Sequence, residues 1–191
     1  DALIPRPESE HIIEEVLRLV SDREAPLCIA DVGTGTGILA ITLALEYPRS
    51  NTLALDISTP ALDLAHRNAM RLGARNIRFA HSDLLASAGT AARFDLIVSN
   101  PPYIPRTEAA DLHPQVRDHE PHLALFGGED GLEIIRRLIP EAAAHLKLDG
   151  WLLMETAGRS VALEKLLENW KSVHYVSDLQ GIERIAVAQK F

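Results

Sequence analysis

Leu27-Cys28-Ile29-Ala30-Asp31-Val32-Gly33-Thr34-Gly35-Thr36-Gly37-Ile38-Leu39-Ala40 is a short apolar run that opens into three alternating glycines and continues into residues of helical period. A run of this length reads as a strand buried on both faces, as in parallel sheets. The glycines let the backbone turn sharply and approach a ligand closely, and the helix N-terminus behind them offers N–H groups to a carboxylate. The spacing is Gly33-x-Gly35-x-Gly37, with Ile38 where a dinucleotide fingerprint has its third glycine. The loop is therefore not of the dinucleotide-binding type.

On either side, strand-like runs alternate with helical segments, the pattern of an α/β sheet with crossover helices. Residues 9–20 read as an amphipathic opening helix, and 27–32, 52–56, 77–81, 94–99 and 151–155 as successive strands. A helix follows the glycine loop to about Tyr47, where Pro48 ends it; another runs from a Ser58 or Thr59 cap, with Pro60 at its first position, to Gly73. Further helices are expected over 131–146 and 161–170, and strands 173–178 and 184–188 form a hairpin at the sheet edge around Gln180-Gly181. Residues 104–129 show no clean period, carry three prolines and include Gly127-Gly128, so they read as a long loop, and loops of that length are usually functional or disordered. The expected fold is a seven-stranded, mostly parallel sheet with an antiparallel edge hairpin and helices on both faces.

A chain of 191 residues suits one domain with a substantial core, so residues 1–191 are taken as one catalytic domain. The balance of 19 Lys and Arg against 27 Asp and Glu, a net charge of -8, weighs against a protein that grips many phosphates. The single cysteine, Cys28, sits in an apolar run and has no internal disulfide partner, which favours a reducing compartment. With no apolar stretch of roughly 20 residues and no signal-peptide pattern, the chain is expected to be soluble and cytoplasmic. It opens at Asp1 directly in a motif-like segment, so an upstream region is expected.

Asp56 ends the second strand, where a carboxylate accepts hydrogen bonds from ribose hydroxyls. The glycine loop and Asp56 in register resemble the class I methyltransferases, whose Rossmann-like fold binds S-adenosyl-L-methionine. That resemblance implies a cofactor cradle of Gly33, Thr34, Gly35, Thr36 and Gly37. It also implies Asp56 on the ribose, Asp83 and Leu84 at the adenine, and Asn100 beside the cofactor.

Asn100-Pro101-Pro102-Tyr103 stops the fourth strand, beside the first at the topological switch point of such a sheet. Proline has no N–H, so the turn presents carbonyl oxygens without competing donors. An NH2 group can give one hydrogen to Asn100 Oδ1 and the other to the Pro101 carbonyl, which aims its nitrogen at a methyl donor. These acceptors stabilise the positive charge that grows on nitrogen during transfer. Tyr103 is expected either to pack against the substrate plane or near the sulfonium, or to plug the turn apolarly.

The same turn occurs in adenine-N6 and cytosine-N4 DNA methyltransferases and in some ribosomal RNA methyltransferases. Three other segments narrow the choice: Leu3-Ile4-Pro5-Arg6-Pro7-Glu8-Ser9-Glu10; Val116-Arg117-Asp118-His119-Glu120-Pro121-His122-Leu123-Ala124-Leu125 with Gly127-Gly128-Glu129-Asp130-Gly131-Leu132; and Gly181-Ile182-Glu183-Arg184. Together they resemble the HemK/PrmC family, the protein-(glutamine-N5) methyltransferases that act on translation release factors. The resemblance implies methylation of the glutamine in the Gly-Gly-Gln motif of bacterial class I release factors, with Asn100, Pro101, Pro102 and Tyr103 holding its side chain and Asn100, Pro101 and Tyr103 as the catalytic residues. It also implies an N-terminal helical domain that helps bind the factor. The alternatives are a glutamine methyltransferase of ribosomal protein L3 and a nucleic-acid amino methyltransferase. A metal site at His113, His119, His122 and Glu120 is not expected, since their spacing fits no common pattern. Arg6 and Arg117 are as readily surface ion-pairing residues as carboxylate ligands, and Trp151 and Trp170 read as core.

Overall fold

The structure, a computed structural model, describes residues 9–191, and for Asp111, Asp118 and His119 it describes the backbone alone. The opening segment through Glu8, with Arg6, and the His119 side chain lie outside the described residues. In chain order the elements are α1 (Glu10–Leu19), β1 (Cys28–Val32), α2 (Ile38–Glu46), β2 (Asn51–Asp56), α3 (Thr59–Leu72), β3 (Ile77–His81), β4 (Phe94–Ser99), α4 (Pro114–His119), α5 (His122–Leu125), α6 (Glu133–His145), β5 (Leu146–Glu155), α7 (Val161–Leu166), β6 (Lys171–Ser177) and β7 (Glu183–Gln189).

The strands form one seven-stranded sheet in the order β3-β2-β1-β4-β5-β7-β6. β1 pairs in parallel with both β2 and β4, and β7 runs antiparallel to β5 and β6. Successive side chains on a strand point to opposite faces, and the core divides accordingly. Ile29, Leu96, Val98 and Leu153 pack with Ile12 and Val16 of α1 and Leu39 and Leu43 of α2. Ala30, Ile97 and Leu152 pack on the other face with Ile135 and Leu138 of α6 and Leu163 of α7.

The local chemistry explains the boundaries of α3. Ser58 Oγ accepts the Ala61 N–H, Pro60 occupies the first turn, and Gly73 closes the helix in the left-handed region. Trp170 is buried, and Cys28 packs half-buried against the same core.

Residues 104–129 are not an irregular loop: they contain a 3-10 helix (Arg106–Asp111), α4 and α5. Each element is six residues or shorter, too short to give a recognisable hydrophobic period. Their capping is local, as in α4, where His113 Nδ1 accepts the Gln115 N–H at 3.3 Å and Pro114 fills the first turn. Among the described residues no helix is long and apolar enough to cross a membrane.

Candidate active site

β1 connects toward β2 on one side, whereas β4 arrives on the other, so their carboxyl ends open a crevice at the switch point. A cavity of about 290 Å³ fills it, at the lower edge of small-molecule sites (roughly 300–1,000 Å³). Of the expected residues it brings together Gly33, Thr34, Gly35, Thr36, Asp56, Asp83, Leu84, Asn100 and Pro102. Gly37, Pro101 and Tyr103 are not among the lining residues. Ser9, Ile57, Leu123, Ala124, Ile134 and Arg137, which sequence reasoning missed, also line it.

The glycine loop is tied down by its own backbone. Gly33 N–H and Thr34 N–H both donate to the Leu55 carbonyl, at 2.8 and 2.9 Å, and the Gly35 N–H donates to Asp56 Oδ2 at 2.8 Å. Gly35 lies at φ +55, and a Cβ there would meet no atom within 4 Å, so the space before the loop is open for a ligand. Gly37 has a different reason to be glycine. At φ +83, its Cβ would stand 2.8 Å from Ile41 Cδ1 and 3.0 Å from Ala65 Cβ, so it lets α2 and α3 close together. Gly37→Ala should cost about 1–3 kcal/mol, read as a lower urea midpoint with an unchanged slope; a midpoint equal to wild type would contradict this packing role.

Asp56 is held by donors on both oxygens, Gly35 N–H on Oδ2 and Ser58 N–H on Oδ1 at 2.8 Å. Each oxygen retains a second lone pair for a ligand hydroxyl. Beneath the loop, Asp31 is fully buried; its Oδ2 accepts from Thr34 Oγ1 at 2.7 Å and Ala40 N–H at 3.1 Å. Its Oδ1 is buried with no hydrogen-bond partner among the described residues.

Burial pushes the Asp31 carboxyl from 3.8 up to about 7, against the pull of the Thr34 and Ala40 donors. Between 3.8 and about 7 the unfolded chain has lost a proton that the folded chain keeps, so this group's stabilising contribution falls as pH rises through that window. Asp31→Asn is neutral in both states. Its stability relative to wild type, from urea unfolding, should therefore climb between about pH 4 and about pH 7, and a difference flat in pH would contradict this.

At the far end, Arg137 donates to Asp83 Oδ2 at 2.7 Å, with both side chains half-exposed. Such a pair is worth about 0–1 kcal/mol, so a ligand N–H can share the Asp83 carboxylate at little cost. Leu84 follows with φ 49 and turns onto the cavity wall.

Ser99 Oγ donates to the Val32 carbonyl at 2.7 Å, joining the ends of β4 and β1 just before the Asn-Pro-Pro-Tyr turn. Asn100 Nδ2 donates to Ser9 Oγ at 3.0 Å, Ser9 Oγ donates to Glu155 Oε2 at 2.9 Å, and Tyr103 Oη donates to Glu155 Oε1 at 2.9 Å. Tyr103 is thus anchored through its hydroxyl, with its ring half-buried against the core. The turn is also braced from outside. Ile104 N–H donates to the Leu125 carbonyl and Gly127 N–H to the Ile104 carbonyl, both at 3.0 Å. A Cβ on Gly127 would sit 2.5 Å from the Pro102 carbonyl oxygen. The Gly-Gly segment therefore lies directly against the Asn-Pro-Pro-Tyr turn.

Arg117 and the described histidines of this region stay outside the cavity lining. Among the described residues no group of His, Cys, Asp and Glu side chains is placed to hold a metal ion.

Residues 16–116 match the family model described as methyltransferase small domain. A release factor glutamine methyltransferase of Koribacter versatilis (strain Ellin345) is 49% identical over 190 residues, covering 98% of this chain and 67% of the relative. A release factor glutamine methyltransferase of Deinococcus radiodurans is 42% identical over 192 residues, 99% of this chain and 67% of the relative. Among solved structures, the hMettl16 catalytic domain in complex with the MAT2A 3'UTR hairpin 1 superposes with a TM-score of 0.76 at 19% identity. That match covers 100% of this chain and 71% of the other, and at such identity it shows the shared fold alone.

Proposed function

The chain belongs to the release factor glutamine methyltransferases, and from that premise we propose that it transfers the methyl group of S-adenosylmethionine to N5 of the glutamine in the Gly-Gly-Gln motif of bacterial class I release factors. The supporting observation is Asn100, whose NH2 is engaged by Ser9 while the residue lines the cavity, which leaves Oδ1 as an acceptor for an incoming NH2. Transfer to ribosomal protein L3 or to a nucleic-acid base is not favoured.

The residues present fit the cofactor. The open space before Gly33 and Gly35 would admit its amino-acid end, the N-terminus of α2 would offer N–H groups to its carboxylate, Asp56 would accept from the ribose, and Asp83 and Leu84 would lie at the adenine. When bound, S-adenosylmethionine would supply an electrophilic methyl on a sulfonium, whose S–C bond breaks with the electron pair left on sulfur, giving neutral S-adenosyl-L-homocysteine as the product.

The chain's own contribution is orientation and charge stabilisation. An amide nitrogen is a weak nucleophile because its lone pair is delocalised into the carbonyl. Asn100 Oδ1 and the Pro101 carbonyl accept its two hydrogens, point the nitrogen at the methyl, and favour the positive charge that develops as the N–C bond forms. The extra proton then leaves to water. Pro101 and Pro102 fix the backbone of this clamp, and Tyr103 fixes its far end. We place the reaction in the cytoplasm, where release factors work.

The test uses cofactor labelled in its methyl group and the whole protein. A release factor should take up label, and its Gly-Gly-Gln glutamine-to-alanine variant should not; equal labelling of both would refute the reading.

A further inference from the structure

We infer that Ser9, polarised by the buried carboxylate of Glu155, is the positioning residue that sets which way the Asn100 amide faces and so makes the site select a donor NH2; this rests on the function proposed above. Ser9 stands at the N-cap position of α1, where a serine normally accepts a helix N–H. Its hydroxyl makes no cap hydrogen bond, and its backbone is already helical at φ -65, ψ -20. Instead the hydroxyl, on a residue only 4% exposed, spans from Asn100 to Glu155, groups separated by 91 and 146 residues in sequence.

The direction of this chain of bonds follows from counting protons. A serine hydroxyl has one proton and two lone pairs, and a carboxylate has only lone pairs. Glu155, only 1% exposed, accepts from Ser9 Oγ on one oxygen and from Tyr103 Oη on the other, both at 2.9 Å, so the Ser9 proton goes to Glu155. Toward Asn100, Ser9 then has only a lone pair to offer. The amide must turn Nδ2 to Ser9, at 3.0 Å, and the opposite edge, Oδ1, to the cavity. A reversed amide would set Asn100 Oδ1 against Ser9 Oγ with no proton between them, and would present NH2 to the substrate's NH2. Glu155 also accepts from Tyr103, so one carboxylate holds both ends of the Asn-Pro-Pro-Tyr turn.

Ser9→Ala removes the bias and lets Asn100 sample both orientations. In the whole protein, kcat for release-factor methylation should fall by roughly tenfold, with the Kd for S-adenosylmethionine, from calorimetry, within about twofold. Ser9→Thr keeps the hydroxyl and should recover most of the loss. A second readout needs no substrate: with 15N-labelled asparagine, one Asn100 side-chain N–H proton should be downfield and slow to exchange in wild type and in Ser9→Thr, and should lose both properties in Ser9→Ala. Unchanged kcat in Ser9→Ala, Ser9→Thr as impaired as Ser9→Ala, or a wild-type Asn100 N–H that exchanges freely would overturn the assignment. A wild-type protein that shows the protected proton but labels no release factor would instead count against the substrate reading.

Discussion

Asn100→Ala is expected to lower kcat by roughly a hundred- to a thousandfold, the usual cost of deleting one preorganised polar group aimed at charge developing in a transition state. Here that group is Oδ1, since Nδ2 is committed to Ser9. Two losses combine: only the Pro101 carbonyl is left to take up the growing positive charge on the amide nitrogen, and one of two hydrogen bonds that aim it in line is gone. Cofactor affinity should change far less, about threefold or under, because Gly33, Gly35, Asp56 and Asp83 remain in place around the cavity. Asn100→Gln, which displaces the acceptor by one methylene, should be nearly as impaired as the alanine variant. Kinetics under saturating cofactor, with calorimetry for binding, separate these effects. Wild-type turnover in Asn100→Ala would remove the clamp from the mechanism.

Asp56→Ala is expected to act on the other half of the site and to weaken S-adenosylmethionine binding by roughly a hundredfold. Hydrogen bonds to a charged acceptor are worth about 1.5–3 kcal/mol each, and about 1.4 kcal/mol is tenfold in affinity. Asp56 also holds Gly35 and Ser58 through their N–H groups, so its loss loosens the loop and the start of α3 as well as removing the ribose acceptor. Asp56→Asn should fall between wild type and alanine, since one oxygen remains. Calorimetric titration reads the constant directly, and a Kd within threefold of wild type would contradict a ribose-binding role.

The unit from β1 through the glycine loop to α2 is legible in the sequence because each level points the same way: an apolar run, glycines where φ is positive, then helical period. The Asn-Pro-Pro-Tyr turn is legible because proline chemistry marks both the strand end and the row of carbonyls. Two kinds of feature are not. The helices within residues 104–125 are too short for periodicity, and they are held by cross-chain bonds such as Ile104 N–H to the Leu125 carbonyl. Ser9 reaches the cavity from the N-cap position before α1, and Arg137 and Ile134 reach it from α6; the pairing of Ser9 with Asn100 and Glu155 depends on tertiary approach alone. Only the neighbourhood of Ser9 in the opening motif hinted at it, and that hint came from resemblance. Tyr103 shows the limit of reading a residue by type. An aromatic ring after a proline turn suits either packing near the substrate or an apolar plug; its ring leans on the core, and the bond from its hydroxyl to Glu155 follows from neither.

The central claim is that the clamp at Asn100 holds a glutamine side-chain amide and directs one methyl group to its nitrogen. Fragmentation mass spectrometry of a release factor incubated with the whole protein and S-adenosylmethionine tests it most directly. The expected product carries a single added methyl on the side-chain nitrogen of the Gly-Gly-Gln glutamine and none elsewhere in the factor. A methyl on a different residue, or an unmodified factor beside methylated nucleic acid, would contradict it.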